Sequence, residues 1–279
     1  MNELRTVVLA GLGLIGGSLA RDLTRAGIRV LGMDRDAGVV AGARAVGAIA
    51  EPFDPNGNGM KNVDAVVLAV PVQGALELLR NLAPRLADVA LVTDVGSTKS
   101  SIVATAEAVG LGSRFVGSHP LAGDHHSGWA VSRNDLFHDA SVFLCPATGA
   151  SAETIAQAVD LWSAVGATTQ VMDPAEHDRR MAWTSHLPQA AATAIARVLD
   201  AAGYRPRDLG PGGRDTTRLA ASSPDLWTEV ALDNTPAMLE ALGALEMDIA
   251  ELRRALGQAD AEHIRAIFEA GRVWAEGER

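Results

Sequence analysis

Cysteine is nearly absent from this 279-residue chain, where Cys145 stands alone. A single thiol excludes an intrachain disulfide and fits a reducing compartment. A basic surplus is missing too. The 24 Lys and Arg residues are outnumbered by 34 Asp and Glu, for a formal net charge of −10. The chain therefore lacks the basic surface that a nucleic acid or an anionic membrane would need. No apolar run reaches the roughly 18 residues that span a bilayer. Val7–Ala20 is apolar enough to suggest a signal-peptide core, but Glu3 offsets the preceding Arg5 and four glycines interrupt the run. These absences predict a cytoplasmic protein with neither a membrane nor a nucleic-acid partner. With 48% hydrophobic and 21% charged residues, the composition is that of an ordinary globular protein, long enough for two domains or one large one.

Short apolar runs alternate with Ala- and Leu-rich amphipathic segments up to residue 172. Strands are expected over Thr6–Ala10, Ile28–Met33, Ala65–Val70, Ala90–Thr93, Arg114–Val116, Ser141–Leu144 and Thr168–Met172. Helical patterns lie between most of them, at Ser18–Ala26, Gly74–Leu82, Ser100–Ala108 and Ala152–Val165. Such alternation predicts an α/β fold with a doubly wound, mostly parallel sheet of the Rossmann type. At Asp173-Pro174 an N-cap and a first-turn proline open a helix, and no further strand is expected. The chain thus divides into residues 1–172 and an all-helical region, 173–279. Thr235-Pro236 opens another helix, in which Met238, Leu242, Leu245, Ile249, Leu252 and Leu256 form a heptad-spaced seam ending near Gly257. Spacing alone leaves this seam open between core packing and a subunit interface.

Thr6–Ala10 runs into Gly11-Leu12-Gly13-Leu14-Ile15-Gly16 and then a helix. In this strand–turn–helix context the glycines have distinct uses. Gly11 permits the tight turn, Gly13 lets a pyrophosphate approach the backbone, and Gly16 lets helix and strand pack closely. The helix N-terminus supplies amides and partial positive charge to phosphates. Asp34 ends the second strand, where a carboxylate accepts hydrogen bonds from ribose hydroxyls and repels a 2′-phosphate. NAD is the expected cofactor; the neighbouring Arg35 keeps NADP open as the lesser alternative. Leu14 and Ile15 in the turn, and Val70 at the end of its strand, complete the expected cofactor contacts.

Four further segments look chemical. Gly117–Trp129, GSHPLAGDHHSGW, places His119 between an apolar segment and a glycine-rich turn. Imidazole titrates nearest neutral pH, so His119 is the candidate for moving a proton. Asp94–Ser101, DVGSTKSS, is not a Walker loop, because Thr98 stands where that motif needs glycine before Lys99. Ser97 or Thr98 is read as a helix N-cap there. Ser185–Gln189, SHLPQ, holds His186 beside Pro188, which must kink or interrupt its helix. Gly210–Ala220, GPGGRDTTRLA, reads as a glycine-rich loop whose Arg214 and Arg218 suit a carboxylate clamp. The histidines His119, His125, His126 and His138 lack HExxH or cysteine-pair spacing, so no metal is expected.

GLGLIGGS, DVGSTKS, GSHPLAG, SHLP and GGRDTTRLA occur in an order and at approximate spacings that resemble the prephenate/arogenate dehydrogenase family of tyrosine biosynthesis. The resemblance covers nearly the whole chain. It implies NAD-dependent oxidative decarboxylation of a cyclohexadienol, prephenate or arogenate, with hydride leaving C4 as the C4 hydroxyl loses its proton and CO2 departs. By that pattern His119 accepts the proton and Ser97 hydrogen-bonds near the hydroxyl and nicotinamide. His186 lines the substrate pocket, Arg218 binds a carboxylate with Arg214 beside it, and the helical region forms a homodimer, which tips the seam toward an interface. His125, flanked by Asp124 and His126, stands where many members carry a glutamate tied to pocket access, so this substrate-side position departs from the pattern. The chain also stops at Arg279 without room for a regulatory ACT domain, so feedback through one is not expected.

Prephenate is the leading substrate and arogenate the nearest rival, since Asp124 could favour an ammonium-bearing side chain. The β-hydroxyacid dehydrogenase and imine reductase group typically uses a lysine in its helical part, whereas Lys61 and Lys99 both precede residue 172. A dinucleotide sensor without turnover would have no need of His119, Ser97, His186 and Arg218 together.

Overall fold

Alternating burial along the first strands explains how the sheet is covered on both faces. The computed structural model describes residues 4–55, 60–123 and 126–277. In β1 (Thr6–Ala10), Val7 and Leu9 enter one apolar cluster while Val8 and Ala10 enter another. β4 (Ala65–Leu68) repeats this, with Ala65 and Val67 on the first side and Val66 and Leu68 on the second. Period-two side chains bury both faces only when helices cover each of them, as in a doubly wound fold. Those helices are α1 (Leu14–Arg25), α2 (Ala37–Ala45), α3 (Val72–Leu86), α4 (Ser100–Ala108) and α5 (Ala152–Ser163). A fully buried Leu or Val contributes about 1.5–3 kcal/mol, so this two-sided core dominates stability.

With β2 (Arg29–Met33), β3 (Glu51–Pro52) and β5 (Leu91–Asp94), the first sheet has the order β3-β2-β1-β4-β5, and all its pairings are parallel. The order reverses between β1 and β4, the crevice where such sheets bind ligands beyond their strand ends. A second sheet has the order β6-β7-β8, from Val116–Pro120, Ser141–Pro146 and Thr168–Val171. A parallel bridge from Val92 to Phe115 links the start of β6 to β5. β6 and β7 are antiparallel, whereas β7 and β8 are parallel.

The sequence placed the sixth strand too early. Gly112–Arg114 is a 3-10 turn and the strand runs over Val116–Pro120. His119 is therefore a strand residue paired with Phe143, held in register by the β6–β7 ladder. Helix α1 also begins at Leu14, earlier than the expected Ser18, so its first turn faces the glycine turn directly.

Beyond β8 the described residues are helical. α6 (Pro174–Met181) starts as expected, its Asp173 side chain accepting from the Ala175 and Glu176 amides. A π-helical turn, Ala182–His186, leads into α7 (Leu187–Ala201) with Pro188 in its first turn. Pro188 thus interrupts the helix as its missing N–H requires. Gly210–Ala220 is not a loop but α8 (Pro211–Thr217) followed by a 3-10 turn, Arg218–Ala221. Pro211 presets the first turn, and the Thr216 and Thr217 hydroxyls donate to the Gly212 and Gly213 carbonyls, which offsets the poor helix propensity of the glycines. α9 (Pro224–Asp233) is capped by Ser223.

Backbone proximity gathers residues 1–234 and 235–279 into two units. The second unit holds α10 (Thr235–Gly257) and α11 (Ala261–Glu276). Its helices expose Met247, Ile249, Leu256, Phe268 and Val273, and Trp274 is 85% exposed. No helix among the described residues is long and apolar enough to cross a membrane.

Candidate active site

The β1–α1 turn is shaped by backbone approach. Gly11 has φ +95°, and a Cβ there would lie 2.3 Å from the Ala69 carbonyl oxygen and 2.8 Å from Val70. A Cβ on Gly16 would lie 2.0 Å from the Gly11 carbonyl oxygen. Gly13 is different, since nothing lies within 4 Å of its would-be Cβ. The outer two glycines serve the fold, and the middle one leaves open space against the backbone. That division suits a pyrophosphate resting on the turn. Leu14 is buried and Ile15 half-buried behind the turn, and Val70 abuts it from the segment that follows β4.

Asp34 closes this cradle. Its carboxylate accepts from the Leu12 amide at 2.8 Å and the Asp36 amide at 3.0 Å, which fixes it at the end of β2. It lines a cleft of about 660 Å³ with Met33, Val40, Arg44, Pro52 and Phe53. These apolar walls, with one carboxylate and one guanidinium, fit an adenosine moiety. Arg35 lies exposed beside it.

The proton-handling side is assembled from distant segments. His119 Nδ1 lies 2.8 Å from His177 Nε2, and His177 Nδ1 lies 2.9 Å from Asp178 Oδ1. His177 is fully buried, with the Phe143 ring edge-on at 5.6 Å. Asp178 accepts the Lys99 and Ser100 amides, each at 2.8 Å. It thereby caps α4 from outside the helix, so the expected Ser97 or Thr98 cap is not formed. Lys99 occupies the cap position without a side-chain bond. Burial pushes the Asp178 carboxyl up, but hydrogen bonds from His177 and from the α4 amides outweigh it and hold the carboxyl below its usual range.

His119 is held well below the ordinary imidazole value, first by burial and then by His177, Lys99 and His186. It is therefore neutral, a proton acceptor at neutral pH. Beneath it Lys99 is buried, donating to Asp94 and, at 2.9 Å, to the Ser118 carbonyl. Asp94 also accepts the Gly96 amide at 2.7 Å and the Ser118 amide at 3.2 Å. One buried pair thus bonds both the loop carrying Ser97 and the strand carrying His119. Ser97 is half-buried in that loop.

His186 is buried, with Nδ1 3.2 Å from the Asn234 amide nitrogen, which also donates to the Asp178 carbonyl at 2.7 Å. Burial lowers its pKa to about 4. Trp227 packs edge-on against it at 5.7 Å. The structure therefore joins His119, His177, Asp178, Asn234 and His186 in one connected cluster. Arg214 and Arg218 are exposed, and no hydrogen bond or ion pair joins either to that cluster among the described residues. Gln189 tethers the neighbourhood of Arg218 by donating to the Leu219 carbonyl at 2.9 Å. His125 lies outside the described residues. Among those described, no three His, Cys, Asp or Glu side chains are placed to hold a metal ion, and His138 pairs with Asp139 at the surface.

Sequence reasoning missed His177, Asp178, Asn234 and Trp227. The one signal for the first two was their position, one turn past the Asp173-Pro174 helix start, where an i+4 residue faces inward.

A nucleotide cradle at the sheet's switch point, together with a half-buried, neutral imidazole on β6, defines a nucleotide-dependent oxidoreductase of the Rossmann class. Residues 19–171 match the family model "Prephenate dehydrogenase, nucleotide-binding domain", and residues 173–270 match "Prephenate dehydrogenase, dimerization domain". The chain is 34% identical to the prephenate dehydrogenase of Bacillus subtilis, over 99% of this chain and 77% of that protein. It is 32% identical to a cyclohexadienyl dehydrogenase of Zymomonas mobilis, over 96% and 94% of the two chains. A crystal structure of prephenate dehydrogenase from A. aeolicus, in complex with hydroxyphenyl propionate and NAD+, superposes with a TM-score of 0.86 at 30% identity, covering 99% of both chains. The chain belongs to the prephenate dehydrogenase family.

Proposed function

We propose that this chain catalyses the NAD-dependent oxidative decarboxylation of prephenate to 4-hydroxyphenylpyruvate and CO2. The observation that carries this reading is His119 itself, neutral, ordered by its 2.8 Å bond to His177 and carried on the strand that the Lys99–Asp94 pair ties to the end of β5. NAD, when bound, supplies the acceptor for the hydride leaving C4. Gly11, Gly13, Leu14, Ile15 and Gly16 are assigned to its pyrophosphate, Asp34 and Arg35 to its adenosine ribose, and Val70 to the wall beside it. His119 takes the proton from the C4 hydroxyl, and Ser97 hydrogen-bonds near that oxygen. As the ring carboxylate leaves, its bonding electrons complete the aromatic ring, and the C4 oxygen recovers its proton from His119 to give the phenol. Aromatisation drives the reaction, so the residues need only orient the substrate and hold a proton.

His186, neutral and buried, lines the substrate pocket. Arg218, with Arg214 on the preceding helix, binds a substrate carboxylate, for which a planar guanidinium is suited. We assign cofactor binding to residues 1–172, and substrate contacts and homodimer pairing to residues 173–279. The exposed apolar side chains of α10 and α11 support that pairing. The lone, unpaired Cys145 supports a cytoplasmic setting. The test is NADH formation from prephenate and from arogenate, each with NAD and with NADP. The expected result is the fastest turnover with prephenate and NAD; preference for arogenate would reassign the substrate, and no turnover with either would overturn the reading.

A further inference from the structure

A neutral imidazole has two tautomers, and only one of them makes His119 useful. A base must offer a lone pair to the substrate, so the proton must sit on the other ring nitrogen. The surroundings of His119 decide which nitrogen that is, through a chain of bonds whose directions can be worked out from its far end.

The far end is Asp178. Backbone amides can only donate, and those of Lys99 and Ser100 point at Oδ1 and Oδ2. The carboxyl is also held below its usual range. Asp178 is therefore an ionised acceptor, and the bond to its Oδ1 at 2.9 Å must be donated by His177 Nδ1–H. With the Nδ1 proton of His177 spent on Asp178, its Nε2 is the acceptor that a bond between two ring nitrogens requires. The 2.8 Å contact from that Nε2 to His119 Nδ1 must then be donated by His119. His119 carries its proton at Nδ1 and offers the Nε2 lone pair.

The ring of His177 is not free to break this chain. It is fully buried, the Phe143 ring meets it edge-on, and the His119 ring stands at 72° to it with centroids 5.0 Å apart. Asp178 is fixed in turn by two amides and by α6. Each link is therefore positioned by fold rather than by solvent. The charged and titratable groups facing His119 are Lys99 from the β5–α4 loop, His177 and Asp178 from α6, and His186 from the π turn.

We propose that His177, oriented by Asp178, is the positioning residue that fixes His119 in its Nδ1–H tautomer and presents Nε2 to the reacting hydroxyl. This rests on His119 being the proton acceptor, and the experiments separate the two claims. His119→Asn tests the acceptor role through kcat. The tautomer is read directly by 15N-detected NMR of histidine-labelled full-length protein, with the His119→Asn variant providing the assignment. The expected spectrum has the His119 proton on Nδ1; a proton on Nε2 would overturn the proposal whatever the activity.

Two substitutions at His177 give a second readout. Leucine cannot accept the bond from His119, whereas the glutamine carbonyl can. His177→Leu is expected to lower kcat on the order of a hundredfold, with KM for prephenate and for NAD within about twofold. His177→Gln is expected to restore most of that loss and to keep the Nδ1–H signal. A glutamine variant no better than leucine, both folded to the wild-type Tm, would overturn the proposal, as would a leucine variant within about twofold of wild type. If the leucine variant does not fold, the spectra of wild type and the glutamine variant still decide.

Discussion

The cofactor cradle and the proton-handling cluster are built on opposite plans. The cradle is local: six consecutive residues, Gly11 to Gly16, shape it with backbone, and the side chain of Asp34 closes it. The cluster is dispersed: His119, His177, Asp178, His186 and Asn234 come from a strand, a helix, a π turn and the residue after α9, and side chains make most of the contacts. A backbone site tolerates little added volume but does not depend on side-chain protonation. A side-chain site tolerates some change of shape but fails when one proton is in the wrong place.

The sharpest way to break this contrast is at its two centres. His119→Asn should lower kcat on the order of a hundredfold or more with little change in KM, as for a lost general base; steady-state kinetics with near-normal kcat would remove His119 from the role. In the cradle, Gly13→Ala and Gly16→Ala should differ in kind. A methyl at Gly16 would collide with the Gly11 carbonyl, so that variant should lose several degrees of Tm. A methyl at Gly13 meets nothing in the protein, so Tm should hold while the Kd for NAD rises about tenfold. Calorimetry and cofactor titration check both, and equal Tm losses would refute the division of labour.

Smaller effects sharpen the comparison. Arg218→Ala should raise KM for prephenate with kcat nearly intact, since a carboxylate contact present throughout the reaction is uniform binding; unchanged KM would refute the clamp. Asp34→Ser should erode the preference for NAD over NADP, measured as the ratio of the two kcat/KM values. The pH profile should distinguish the halves without mutation. His119 must be neutral to act and its pKa is lowered. Activity should therefore persist as pH falls through the ordinary imidazole value of about 6.5 and decline only below it. An acid limb of kcat/KM at or above that value would contradict the neutral acceptor.

The same contrast explains what could be read from the residues alone. The glycine turn was legible because strand, turn and helix are contiguous and each glycine has a spacing rule. His119, Ser97 and His186 stood out as members of short motifs, and the structure brings His119 and His186 into one connected cluster. His177 was not, because Glu176-His177-Asp178 reads as the polar stretch of an amphipathic helix, and only the third dimension puts it beside a strand 58 residues earlier. The strand shift to Val116–Pro120 escaped detection for a similar reason: Gly117, Ser118 and Pro120 are poor strand formers that the ladder with β7 nevertheless recruits. The GPGG segment misled in the other direction, since two glycines suggest a loop until Pro211 and the threonine hydroxyls stabilise a helical turn.

The π turn at Ala182–His186 works as a phasing device. On an uninterrupted α-helix of about 3.6 residues per turn, His177 and His186 would lie nearly half a revolution apart and face opposite ways. A wider turn advances less per residue, and five such residues withdraw roughly a quarter of a revolution. That brings the His186 imidazole within reach of Asn234, whose single side chain donates both to it and to the Asp178 carbonyl of α6. The irregular turn thus carries angular information in the backbone. Removing one residue from it would leave every side chain of the cluster in the sequence while pointing one histidine out of the site.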